Sequence, residues 1–143
     1  MSTEDLAGTA RAPDFPPGGR RSILVVDDEI IVRMLMVDLL EEAGHAVIEA
    51  HDGASALRAL DDAGAIDLLV TDVGLPGGMN GRQLADTIRT ARPDLGVLFV
   101  TGYADVQTVG NDASDSNTRV VAKPFKGDDL LRRVDELLAR RNG

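Results

Sequence analysis

Five short apolar runs punctuate the chain, and between them the apolar residues shift from consecutive positions to helical spacing. The runs predict strands near residues 22–26, 46–50, 66–71, 96–101 and 118–122. A helix over about 29–43 places Ile31, Leu35 and Leu39 on one stripe and stops at Gly44, a suitable residue just past a helix end. A second follows Gly53 with Ala56, Leu57 and Leu60 inward. The third, about 81–91, turns Leu84, Ile88 and Ala91 inward and ends before Pro93. The last, about 127–140, spaces Leu130, Val134, Leu137 and Leu138 at helical period. Asp128 and Asp129 sit near its positive end, with Arg140 and Arg141 near its negative end. Strands alternating with helices imply parallel β-α units joined by right-handed crossovers.

The ends of these strands carry the chemistry. Asp27 and Asp28 follow the first run, Asp72 the third, Thr101 closes the fourth and Lys123 follows the fifth. If the first and third strands are neighbours, three carboxylates converge at the C-terminal edge of the sheet, where open α/β folds place their ligands. Two unit charges about 4 Å apart repel by roughly 4 kcal/mol at the effective dielectric of a protein surface, so such a cluster needs a cation or protons. Hard oxygen ligands in an incomplete cage suit Mg²⁺, which keeps several waters and shares its coordination with a phosphoryl group.

Val25-Val26-Asp27-Asp28-Glu29, Asp72 with Leu75-Pro76, Thr101-Gly102 and Lys123-Pro124-Phe125, in that order, resemble the receiver domain of two-component response regulators over residues 22–141. The resemblance implies an α/β fold, a flavodoxin-like doubly wound five-stranded parallel sheet of order 2-1-3-4-5. It implies roles as well. Asp72 would be the phosphoacceptor nucleophile. Asp28 and Asp72 would bind Mg²⁺ directly with the backbone carbonyl of Gly74, and Asp27 would hold it through water. Thr101 would donate to one phosphoryl oxygen and Lys123 would pair with another. The phosphoryl group would come from a histidine kinase or a histidine phosphotransfer protein, and a downstream protein would read the result. With no effector domain expected in this chain, output runs through that partner, or the domain acts as a phosphate shuttle or sink.

The departures from the family pattern are informative. Pro76 to Gly81 holds one residue more than the commonest receiver spacing. Val120 occupies the place where many receivers carry a switching Tyr or Phe, which leaves Tyr103 as the best substitute. In 104–117, the family's fourth helix, Val106 and Val109 are the sole large apolar anchors, so that helix is expected to be short or mobile. Other readings stay open beside this one: an inert buried Asp72–Lys123 ion pair, or a phosphorylation-independent interaction module with a relic site. A haloacid dehalogenase type of phosphatase is disfavoured because its second Asp falls at Gly74, and a flavodoxin because Asp27, Asp28 and Glu29 fill the loop that must take a phosphate.

Composition narrows the setting. The 143 residues fit one domain, with residues 1–21, rich in Pro and Gly, expected as a disordered tail and 22–143 as the folded unit. A net charge of −9 argues against nucleic-acid or anionic-membrane binding. The absence of Cys and of a signal-peptide pattern agrees with a cytoplasmic location. His45 and His51 lack partners that point to a metal, so both are expected at the surface. Met34 and Met36 are expected to pack.

Overall fold

The computed structural model describes residues 21–102, 105–106 and 117–142. The elements run β1 (Ser22–Val26), α1 (Ile30–Glu42), β2 (Ala46–Ala50), α2 (Gly53–Ala63), β3 (Leu68–Thr71), α3 (Gly81–Ala91), β4 (Gly96–Thr101), β5 (Thr118–Ala122) and α4 (Gly127–Asn142). All strand pairs are parallel and the order is β2-β1-β3-β4-β5, the flavodoxin-like arrangement expected. The expectations for the tail, for Tyr103, for most of 104–117 and for the Arg140 and Arg141 side chains fall outside the described residues.

Helices cover both faces of the sheet, so its inner strands are apolar throughout. On one face Leu24, Val26, Leu69, Val97 and Phe99 pack with Ala56, Leu84 and Ile88 from α2 and α3. On the other, Ile23, Val25, Leu68, Val70, Leu98 and Val100 pack with Met36 and Leu40 of α1 and Leu130, Val134 and Leu137 of α4. α2 and α3 start on reciprocal capping boxes, Asp52 with Ser55 and Asn80 with Gln83. Gly44, expected to close α1, adopts φ +101°.

Three details differ from the sequence reading. α1 buries Met36, Val37 and Leu40, whereas Ile31 is 77% and Leu35 48% exposed, and Met34 is exposed as well. Apolar residues occur almost all round this helix, so several stripes satisfy a 3.6-residue period. Leu39 packs as expected, but otherwise the row one residue on, with Val32, Met36 and Leu40, meets the sheet. On α3, Ala85 is buried and Ala91 exposed. β3 begins at Leu68, because Ile66 packs as core before the strand and the Asp67 amide donates to Ser22 O at 2.7 Å.

Register fixes the site. Val26 pairs with Thr71 and Thr101 with Ala122. The Asp72 amide donates to Val26 O at 3.0 Å and the Lys123 amide to Thr101 O at 2.8 Å, so the residues just beyond these strands are set side by side. Gly81, the first residue of α3, stands against the backbone of Asp72; a Cβ there would overlap the Asp72 carbonyl oxygen. Gly81→Ala is therefore expected to cost at least about 2 kcal/mol, read as a lower urea midpoint at unchanged slope.

Candidate functional site

Asp27 is the first residue after β1, and its side chain is fully buried. Its Oδ1 accepts from the Glu29 amide at 2.9 Å. Its Oδ2 lies 2.9 Å from Lys123 Nζ but has no partner in hydrogen-bond geometry. Arg33 braces the same turn, donating to the Asp27 carbonyl at 2.7 Å and pairing with Glu49 at 3.1 Å. Asp72, just beyond β3, is also buried. Its Oδ1 accepts from Thr101 Oγ1 at 2.7 Å and from the Gly74 amide at 3.0 Å, and its Oδ2 accepts from Lys123 Nζ at 2.8 Å.

One ammonium thus touches three carboxylates. Lys123 reaches Asp72 at 2.8 Å, Asp27 at 2.9 Å and Glu29 at 2.5 Å. Burial alone would lower the lysine pKa, yet the hydrogen bonds to Asp72 and Glu29 and the ion pair with Asp27 hold it well above its ordinary value, so it stays charged. Burial also opposes ionisation of Asp72, but its bonds from Lys123, Thr101 and Gly74 outweigh that and hold its pKa below the usual carboxylate range. For Asp27 desolvation prevails over Lys123 and the Glu29 amide, and its pKa is raised.

The structure brings Asp27, Asp72, Thr101 and Lys123 together, and Gly74 adjoins them through its amide. Asp28 is exposed and stands outside the cluster. The group whose carboxylate oxygens lie within 4.8 Å of one another, among the described residues, is Asp27, Glu29 and Asp72. Glu29 was named in the sequence only as part of the acidic run; its signal was its place two residues after Asp27, in the turn whose amide caps that carboxylate. Asp105 was missed as well, and its Oδ2 lies 3.5 Å from Thr101 Oγ1. Val120 sits half-buried on β5 against the α2–α3 side of the core. His51 is exposed and His45 half-buried, and neither belongs to the acidic group.

A phosphoacceptor site needs this set: a carboxylate at a sheet edge, further acids for a cation, a hydroxyl and an ammonium. The family model for the response regulator receiver domain matches residues 23–135. The chain belongs to the response regulator receiver domain family. Receiver domains are signalling domains that accept phosphate from histidine kinases, and they generally bind Mg²⁺ at an acidic site. This receiver is 33% identical to the response regulator receiver protein CpdR of Brucella abortus over 118 residues, 82% of this chain and 97% of CpdR. It is 35% identical to the chemotaxis protein CheY of Pseudomonas aeruginosa, covering 85% of this chain and 98% of CheY. Against the sensor kinase CckA of B. abortus the identity is 34% over 87% of this chain, which spans 13% of that kinase. Among solved structures, the response regulator receiver protein from Sinorhizobium medicae superposes with a TM-score of 0.76 at 30% identity, over 85% of this chain and 97% of that one. Among the described residues no helix is long and apolar enough to cross a membrane.

The raised pKa of Asp27 makes a stability prediction with a definite sign. A folded-state pKa above the unfolded 3.8 means that folding takes up a proton between the two values, so this residue's contribution falls as pH rises through that window. Asp27→Asn keeps the acceptor for the Glu29 amide and leaves Lys123 paired with Glu29 and Asp72. Without divalent cations it is expected to melt higher than wild type at pH 7, with the advantage shrinking as pH falls toward 4. Melting curves across that range measure it.

Proposed function

We propose that this receiver takes a phosphoryl group on Asp72 from a histidine kinase or histidine phosphotransfer protein in a Mg²⁺-dependent reaction. The observation that supports it is the pairing of Asp72 with Thr101 and Lys123, one on each carboxylate oxygen. Those two donors lower the carboxyl pKa, so Asp72 is ionised at neutral pH and available to attack phosphorus in line. Attack bonds an Asp72 oxygen to phosphorus while the bond from phosphorus to the donor histidine nitrogen breaks and its electron pair returns to the imidazole, which brings new anionic oxygens beside Thr101 and Lys123. The hydroxyl then donates to one phosphoryl oxygen and the ammonium pairs with another, replacing the contacts both now make to Asp72.

The acidic cluster fits a hard divalent cation. Asp27 Oδ2 is buried and lacks a hydrogen bond, and three carboxylates face a single ammonium. Asp27, Asp28, Asp72 and the Gly74 carbonyl are the residues assigned to hold Mg²⁺, with Asp27 acting through water; Glu29 stands beside them on Lys123. Bound there, Mg²⁺ would supply positive charge to offset the carboxylates and the transferring phosphoryl oxygens. In this reading Glu29 parks the ammonium of Lys123 at the mouth of the pocket until a phosphoryl group arrives.

Purified protein incubated with Mg²⁺ and acetyl phosphate is expected to gain the mass of one phosphoryl group, and Asp72→Asn to gain none. Equal labelling of that variant would overturn the assignment. Full retention of partner binding in unlabelled protein would favour a phosphorylation-independent interaction module instead.

Mg²⁺ at 100 times its dissociation constant is expected to stabilise wild type by about 2.7 kcal/mol. Asp28→Ala should lose most of that response, whereas Glu29→Gln should keep it. The reverse result would transfer the ligand role to Glu29.

A further inference from the structure

Among the described residues, a gap lies beside Asp72. A Cβ built on Gly74 would find Asp105 Oδ2 at 3.6 Å and Asp72 Oδ1 at 4.0 Å, with no other atom of the described residues within 4 Å beyond Gly74 and its chain neighbours. The absent side chain leaves a space, faced by two carboxylates, that admits a water molecule with polar partners. Asp105 is placed there by a turn in which its own amide and that of Val106 donate to Gly102 O at 3.0 and 3.1 Å. The single proton of the Thr101 hydroxyl goes to Asp72 Oδ1 at 2.7 Å, with Asp105 Oδ2 the more distant oxygen at 3.5 Å. Asp105 therefore keeps acceptor capacity for a water. Among the described residues no cation pairs with it.

We propose that Asp105 is the general base for hydrolysis of the aspartyl phosphate on Asp72, acting on a water held in the space that Gly74 leaves open. The inference rests on the reading of Asp72 as phosphoacceptor. The water gives one proton to the Asp105 carboxylate while its oxygen attacks phosphorus. The bond from phosphorus to the Asp72 oxygen breaks, and its electron pair returns to the Asp72 carboxylate. The other proton leaves with the product as HPO₄²⁻, and Asp105 releases its proton to solvent. Asp105 thus makes the lifetime of the phosphorylated state a property of this chain.

The test uses the full chain labelled with acetyl phosphate and Mg²⁺, then freed of donor, with loss of label followed by intact mass and by phosphate release. Asp105→Asn is expected to lengthen the lifetime about a hundredfold, the lower end of the range for a positioned base. It should also abolish the slowing that wild type shows in deuterated water. Gly74→Ala, whose methyl meets only ordinary contacts among the described residues, is expected to lengthen the lifetime with Asp105 intact, because it fills the space for the water. If Asp105 only repels the phosphoryl group, Gly74→Ala keeps the wild-type lifetime, and that result overturns the proposal. An unchanged lifetime in Asp105→Asn overturns it too. Wild type that takes no label at all would instead defeat the reading of Asp72.

Discussion

The attraction of one half-buried ammonium for three carboxylates holds the C-terminal edge of this sheet together. Lys123 comes from the turn after β5, Asp72 from the end of β3, and Asp27 and Glu29 from the turn after β1. With three negative charges against one positive, the local charge stays at −2. The arrangement is thus compensated only in part, and Asp27, the most deeply buried of the three, bears the cost as a raised pKa. A site in that condition favours cations strongly and still contains, in Asp72, a carboxylate ionised by its own donors. The same imbalance that weakens the fold at neutral pH suits the cluster to the cation that the proposed chemistry would use.

Backbone geometry makes this possible. Parallel register lines up the last residues of β1 and β3 and of β4 and β5, so residues distant in sequence arrive at one edge without side-chain reach having to bridge large gaps. The two cores, one on each face, clamp the strands whose ends carry the charges. Burial of the apolar runs thereby supports the placement of polar atoms just beyond them.

The sheet, its order and the positions of Asp27, Asp72, Thr101 and Lys123 could be read from sequence because each depends on a short-range signal, an apolar run ending in a polar residue, repeated in a consistent order. The inward face of α1 could not. Its apolar residues are distributed around the axis, and only contact with β1 and α4 selects Met36 and Leu40 over Ile31 and Leu35. The places of Glu29 and Asp105 at the pocket could not be read for a different reason. Neither lies at the first position after a strand, and both reach the pocket through turn geometry, which residue spacing does not reveal.

The fit of Gly81 against the Asp72 carbonyl divides the pocket into fixed and adjustable parts. The Asp72 main chain is wedged between the start of α3 and the end of β1, with its amide bonded to Val26 O and the Gly81 amide bonded to Val73 O. That side behaves as an anvil. Accommodation of an incoming group must then come from the opposite wall, from the Thr101 hydroxyl, the long Lys123 side chain and the turn carrying Asp105. On the proposed reading of Asp72, the response to an incoming phosphoryl group would therefore be directional, travelling outward through β4 and β5 while Asp72 itself stays still.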